Sequence, residues 1–403
     1  MNLPTSQFCV LPWISLEASP IGTVRPCCLA DDEIRDSNGH KFNLQTARFA
    51  DIQNSPDTQT LRGQFLAGQR PETCRKCWSE EDSGRASKRM HTLDRLKHML
   101  NNETQWDLAA KPLMFLDLKL GNICNLKCRI CGSWSSSTFA TEELQTLPAD
   151  QRKTSFHYQM LQDGAWPRSS TQFWSELADN LHHIRYLEFT GGEPLMIQEH
   201  FDLLQSLIDA GVAAQIEIHY NTNATQAPTP AAQEIWSHFG HVEIAFSIDD
   251  VGPRFEYQRT GAEWTQAQRT IELFRSLRGQ RRNMSLQVCS TVNVFNVWHL
   301  AELACWIDTQ QFDFVYWNIM HDAPEFSIAN LAPAVKARVR DRLSQAQVSK
   351  LHQQEFARMI EFMAQGTSDL SGSMLARMQV LDQRRGQNLA QITPEWAEII
   401  GYA

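Results

Sequence analysis

The sequence predicts an α/β protein: a partial (β/α)6 TIM-type barrel, preceded by a loop-rich, cysteine-bearing domain and followed by a helical extension. Three observations carry this. Six short β-rich runs alternate with amphipathic helical stretches through the middle of the chain, which implies parallel strands joined by right-handed crossovers. The ten cysteines are clustered, five of them before position 80 and three between 124 and 131. From position 326 onward the periodicity is helical throughout. A chain of 403 residues exceeds one typical domain, and the boundaries fall at 1–90 (cysteine domain), 91–112 (helical linker), 113–325 (barrel) and 326–403 (helical extension).

Composition narrows the function classes. Hydrophobic content of 42% and charged content of 21% are ordinary for a globular protein. The net charge of -9 argues against a general nucleic-acid or anionic-membrane surface. No apolar run is long enough to span a bilayer. The N-terminus, Met1 to Cys9, lacks the charged and apolar regions of a signal peptide, so a cytoplasmic location is expected. Clustered cysteines in a reducing compartment read as metal sites rather than as disulfides.

Taken in order, residues 1–90 are punctuated by glycine and proline, and a segment so loop-rich needs cross-links. The pattern is Cys9-x12-Gly22-x4-Cys27-Cys28, then Cys74-x2-Cys77, with Gly22 placed to reverse a hairpin between two ligands. Cys9, Cys27, Cys74 and Cys77 are the best four ligands. Cys28 adjoins Cys27, and one strand cannot easily aim both thiolates at one centre, so Cys28 reads as a buried free thiol. On spacing alone, structural zinc is the favoured occupant. Residues 91–112 read as a helix and linker. The six strand runs are 114–121, 184–190, 215–221, 241–248, 285–294 and 312–319, with helices over 199–210, 229–239, 264–277 and 297–309. Chemistry is expected at the C-terminal ends of these strands. The long interval 132–183, with Trp134, Trp166 and Trp174, reads as an insertion near the mouth. The tail predicts helices over 334–343 and 356–364, and a further start at Thr393-Pro394.

Chemistry concentrates at two strand ends. Cys124-x3-Cys128-x2-Cys131 follows the first strand. Three thiolates on one loop hold three corners of a 4Fe–4S cube and leave one iron open for chemistry. Phe189-Thr-Gly-Gly-Glu-Pro194 ends the second strand, where paired glycines allow close backbone approach and Glu193 offers a carboxylate. Asn221 and Asn223 follow the third strand, Ser247, Asp249, Asp250 and Arg259 the fourth, and Asn293 and Asn296 the fifth. Each alone is more often a turn or cap; together they form a polar ring suited to ribose hydroxyls and a carboxylate. Cys289 and Cys305 read as small core residues. Tyr316, Asn318, His321 and Asp322 read equally as pocket lining, acid–base groups or loop anchors.

With both cysteine modules and the GGEP turn in place, the chain resembles the radical S-adenosylmethionine (SAM) enzymes. Its N-terminal segment is similar to the auxiliary SPASM/twitch modules, although here the module precedes the barrel. Ile130 stands where an aromatic residue is common. The resemblance implies that Cys124, Cys128 and Cys131 ligate a 4Fe–4S cluster whose open iron is chelated by SAM. It implies SAM contacts at Gly191, Gly192, Glu193 and Pro194, and around Asn223, Ser247, Asp249, Arg259 and Asn293. It also turns the zinc preference toward an auxiliary 4Fe–4S cluster. The implied reaction is reductive cleavage of SAM to methionine and a 5′-deoxyadenosyl radical that abstracts a substrate hydrogen, with a reducing partner such as flavodoxin or ferredoxin. A peptide is the leading substrate class, and a small metabolite (amino acid, sugar or nucleotide) is the alternative. A non-catalytic Fe–S carrier or zinc-stapled interaction protein is the reading from a different class.

Overall fold

The strand runs fold in the order the sequence sets, and their pairing decides the architecture. A computed structural model describes residues 3–100 and 105–402. β3 (Phe115–Leu118), β4 (Tyr186–Phe189), β5 (Glu217–Thr222), β6 (His241–Ser247), β7 (Met284–Val292) and β8 (Phe314–Ile319) pair in sequence, all in parallel. Helices Gln198–Asp209, Pro230–Ser237, Trp264–Gln280 and Leu300–Thr309 form the crossovers. The sheet is eight-stranded rather than six-stranded, because a hairpin from the N-terminal segment extends its first edge. β1 (Ser15–Ala18) pairs in parallel with β3, and β2 (Val24–Arg25) pairs antiparallel with β1. Gly22 turns that hairpin with φ +82°, as expected, and its N–H donates to Ser19 O at 2.9 Å. Strands this short leave no periodicity to read, so sequence patterning missed them.

The sheet stays open, and the N-terminal segment bridges its two edges. At one edge lies the hairpin. At the other, Arg85 donates to Trp317 O, His321 Nε2 meets Glu80 at 3.1 Å, and Lys76 pairs with Asp322 at 2.6 Å. His321 and Asp322 therefore anchor the module to the end of β8. The module's exit helix, Lys88–Leu96, is capped by Ser87 and begins before position 91. It packs along the inner face of the sheet. Positions 101–104 of the linker lie outside the described residues.

That inner face carries a polar row. Strand register aligns Glu17, Asp117, Glu188, His219, Glu243 and Ser285 across six neighbouring strands, and all six are buried. Buried charges require partners. Lys119 and Arg25 meet Glu17 at 2.6 and 3.0 Å, Lys88 meets Glu188 at 2.6 Å, and Arg95 meets Glu243 at 2.8 Å beside His219. Burial alone would raise Glu188, but the Lys88 ammonium reverses this and holds it down at about 2.

The outer face and the crossover helices form the main apolar core. A second cluster, with Phe8, Trp13, Phe65 and Trp78, joins Phe115 and Tyr186 beneath the exit helix. The insertion between β3 and β4 supplies helices Ser137–Thr146, Phe156–Asp163 and Thr171–Asn180, each capped by the serine before it. Its Trp166 is buried against Gly22 of the hairpin rather than facing a substrate. The tail adds Pro333–Ser344, Lys350–Gln365, Ser371–Arg385 and Pro394–Ile400. Cys305 is exposed, not core: its helix buries Leu300, Leu303, Ala304 and Ile307, and position 305 lies off that stripe. Among the described residues no helix is long and apolar enough to cross a membrane.

Lys88→Ala would leave Glu188 charged, buried and unpaired. The expected loss is about 3 kcal/mol of unfolding free energy near neutral pH, read by denaturant titration. Because Glu188 titrates lower in the folded protein, the pair's contribution is present above its ordinary carboxylate range. It fades as pH falls toward about 2.

Candidate active site

The cysteine loop is built from backbone anchors. After β3 the chain passes Gly121 (φ +111°), where a Cβ would lie 2.4 Å from Gly164 O. Asn122 then donates to Ser133 O and Met160 O, at 3.1 and 2.9 Å, tying the loop to its own exit and to the insertion. Ser137 Oγ accepts from Cys124 N, and Thr138 Oγ1 donates to Cys124 O. On the far side Lys127 N and Arg129 N donate to Thr260 O and Gln258 O. The Arg129 guanidinium is fully buried. It lies 3.6 Å from the Tyr257 ring centroid and pairs with Asp382 of the tail helix Ser371–Arg385. The tail thus clamps the loop from behind, a role with no motif to announce it.

The three thiols of the loop are gathered and buried or half-buried. A hydrogen bond from Cys131 is the main influence lowering the Cys128 thiol to about 7, helped by the Arg259 guanidinium. Burial and the neighbouring Cys128 push Cys124 up to about 12. Asn223 Nδ2 lies 3.9 Å from Cys124 Sγ, and Arg259 Nη1 lies 4.0 Å from Cys128 Sγ. Arg259 is held by Asp249 at 2.8 Å, and Asp249 also accepts from Thr291 N. The Arg259 Nε remains buried without a partner.

The GGEP turn docks on this loop. Gly191 and Gly192 have φ +74° and +57°, and a Cβ on Gly192 would sit 2.5 Å from Ile123 O. Only glycine serves there. Glu193 N donates to that same Ile123 O at 2.7 Å. The Glu193 carboxylate points back into the protein, accepting from Thr222 Oγ1 at 2.8 Å and Asn223 N at 2.7 Å. Burial pushes it up to about 7 despite these donors. Pro194 starts the short turn after it. Of the remaining ring, Ser247 ends β6, opposite Cys289. Asn293 is spent on its own turn, donating to Thr291 O and accepting from Phe295 N, and Asn296 holds Asp249 O.

Cys9, Cys27, Cys74 and Cys77 also converge. Asp31 N donates to Thr73 O at 3.0 Å, bringing the two cysteine-bearing loops together. Burial raises Cys9 and Cys27 to about 12, with each thiol further raised by another of the set. Cys28 is half-buried, and besides Cys27 its charged neighbours are Lys88 and, in the inner row, Asp117 and Glu188. Cys289 shares Lys88 and Glu188 as neighbours, together with Asp249 and Arg259. Neither thiol is fully buried. Tyr316 stands edge-on to His91. Among the described residues no three His, Cys, Asp or Glu side chains are arranged to hold a single metal ion. In a four-iron cube each thiolate binds a different iron. A cleft of 490 Å³ opens beside Cys131, lined by Ile130, Trp134, Phe156, Arg377 and Val380.

Gly192→Ala is expected to push the turn off the cysteine loop. The Glu193 amide, freed from Ile123 O, should then exchange its hydrogen at least about tenfold faster than in the wild type, read by hydrogen-exchange mass spectrometry.

Comparison with known proteins bears on the N-terminal segment. No curated protein matches the chain. Among solved structures, anSMEcpe with bound AdoMet matches at 15% identity and a TM-score of 0.35, over 56% of this chain and 57% of that one. Streptococcus suis SuiB bound to precursor peptide SuiA matches at 13% identity and a TM-score of 0.37, over 77% and 65%. The chain thus spans little more than half the length of the first, and both likenesses are too distant to carry an argument. The family model of the SPASM iron–sulfur cluster-binding domain matches residues 9–78, which bears out the resemblance read from the spacing of Cys9, Cys27, Cys74 and Cys77.

Proposed function

We propose that the protein is a radical SAM enzyme acting on a peptide, with the SPASM-like module holding an auxiliary 4Fe–4S cluster. The observation that carries this is the docking of Gly192 and Glu193 on Ile123. That contact sets a glycine turn against a loop of three gathered thiols, with polar groups at two of the sulfurs. Holding metal alone requires no such turn. The residues fit the group. Cys124, Cys128 and Cys131 offer three ligands and leave one iron open. The glycine turn gives a bare backbone edge beside them.

With cluster and SAM bound, the chemistry supplied is one-electron cleavage of SAM and removal of a substrate hydrogen atom. The chain's own part is to position and to exclude water. Asn223 and Arg259 direct N–H groups at thiolate sulfur and stabilise its negative charge. Asp249 fixes the Arg259 plane. Arg129 and Asp382 hold the loop rigid from behind. Cys9, Cys27, Cys74 and Cys77 make a fully cysteine-ligated auxiliary cluster, which suits transfer of an electron rather than direct binding of substrate. The cleft beside Cys131, with Trp134 and Phe156 exposed on its rim, is open enough to admit a chain segment and supports the peptide over a small metabolite.

Anaerobic reconstitution with iron and sulfide, then SAM and dithionite, should yield 5′-deoxyadenosine. Cys124→Ala should abolish it, and continued cleavage in that variant overturns the ligand assignment. Cys74→Ala should lower iron content by about half with SAM binding retained; unchanged iron removes Cys74 from the ligand set. To separate the substrate classes, the enzyme is offered peptide and small-metabolite fractions from cells grown in deuterated medium. Deuterium should enter 5′-deoxyadenosine from the peptide fraction. Enrichment from the metabolite fraction alone refutes the peptide reading.

A further inference from the structure

The cleft beside Cys131 is walled by three segments that the fold brings together. Trp134 comes from the exit of the cysteine loop, Phe156 and His157 open the insertion helix Phe156–Asp163, and Arg377, Val380 and Arg384 lie on the tail helix Ser371–Arg385. Those three tail positions are spaced three and four apart, so a single helix face meets the cleft. Among the described residues ten large apolar side chains are exposed, and three of them stand on this one cleft: Trp134 at 41%, Phe156 at 58% and Val380 at 52%. A lone exposed apolar residue needs no explanation, but a cluster around a concave space marks a binding surface. The Trp134 ring rests on bare loop backbone, since a Cβ on Gly132 would lie 3.1 Å from it.

The charges on the cleft are already paired. Arg384 meets Glu143 at 2.6 Å, Arg377 pairs with Glu325, and Asp322 pairs with Lys76 at 2.6 Å. A wall balanced in this way offers no free cations to an acidic electron carrier. Nor does it offer them to the carboxylate of a free amino acid or the phosphates of a nucleotide. It fits a neutral, apolar group. One polar atom on the wall stays open. His157 Nδ1 lies 2.7 Å from Ser133 Oγ, and the Ser133 carbonyl accepts from Asn122 Nδ2, so the imidazole is held from behind. Its Nε2 has no partner among the described residues and is not shut off from solvent. Because the serine hydroxyl can donate or accept, Nε2 is able to do either in turn.

We propose that the cleft is a subsite for one large apolar side chain of the peptide substrate, aromatic or branched aliphatic, seated among Trp134, Phe156 and Val380, with His157 Nε2 hydrogen-bonded to the peptide backbone beside it. This rests on the peptide reading above and adds to it the residue type that is selected. The cleft runs to Cys131, so a side chain anchored there brings its neighbours in the same peptide to the cysteine loop. A backbone amide that leaves water at the rim keeps a hydrogen-bond partner in the imidazole. Aromatic walls give contact area at low cost in conformational entropy.

Two measurements test it. In the first, the reconstituted protein carries fluorotryptophan, and the Trp134 resonance is the one missing from Trp134→Phe. Capped pentapeptides with Phe, Asp or Lys between paired glycines are titrated in. The Phe peptide should shift the Trp134 resonance, and Phe156→Ala should weaken its binding at least tenfold. No shift with the Phe peptide, or equal shifts with all three, overturns the proposal. So does a Trp134 resonance that moves with protein concentration alone, which assigns the cleft to a second copy of the chain. In the second, Trp134→Ala, Phe156→Ala and His157→Leu are assayed at equal iron content for deuterium transfer from the peptide fraction, with dithionite as the electron source. The two aromatic variants should lose initial rate at least tenfold. His157→Gln, which keeps a donor and an acceptor, should lose less than His157→Leu. Wild-type rates in both aromatic variants overturn the proposal and leave the peptide reading standing. Losses that appear only when a protein donor replaces dithionite assign the cleft to that donor and overturn it equally. If the wild-type enzyme takes deuterium from neither fraction, the peptide reading fails, and the fluorine resonance alone decides whether the cleft binds an apolar side chain.

Discussion

Four carboxylates and a histidine stand in one buried row across the inner face of the sheet, and the fold depends on meeting their charges. Three of the cations that do so, Arg25, Lys88 and Arg95, come from the first 96 residues. Breaking a buried pair leaves an uncompensated charge and costs several kcal/mol, so the N-terminal segment is not an appendage to the barrel. It supplies two strands, the counter-charges of the interior, and the contacts at β8 that span the open side. This also explains how a module ahead of the barrel reaches the interior: its exit helix runs along the inner face, fixed at Lys88 by Glu188 and at Arg95 by Glu243.

A second constraint fixes the geometry of the cysteine loop. Ile123 O accepts from Glu193 N, and Gly192 approaches so closely that no side chain fits. The turn after β4 is thereby registered on the loop after β3. Glu193 extends the registration to β5 through Thr222 and Asn223, and Asp249 links β6 to β7 through Thr291. Successive strand ends are stitched by side chains that sequence reading assigned to SAM. Glu193 and Asn293 have partners within the protein that register these strand ends on one another.

The barrel strands, their crossovers, both cysteine sets and the GGEP turn were legible because each has a local signature: a period, a spacing or a glycine pair. What escaped has none. Asp117, Glu188 and Glu243 are single acids inside apolar runs, and their cations sit up to 148 positions away. Arg129 reads as one more charge in the cysteine loop until Asp382 is brought to it across 253 positions. Cys289 reads as core from alternation but is only half-buried, because alternation identifies a face and not how tightly it is packed. Cys305 was misplaced by one step on a helix, where a shift of about 100° moves a side chain from core to surface.

The polarity of the inner row has a functional logic. A complete barrel fills its interior with branched aliphatic side chains, and such an interior could not accept a peptide, whose amide groups cost several kcal/mol each when buried without partners. Here the aliphatic filling is confined to the lower end, where Ile14, Leu96, Met99 and Leu100 pack against Phe115 and Tyr186. Above that floor the face turns to Glu17, Asp117, Glu188, His219 and Glu243, met by Arg25, Lys88 and Arg95. The same arrangement keeps the interior polar and its charges paired, so this face is held by ion pairs from the N-terminal segment rather than by aliphatic packing.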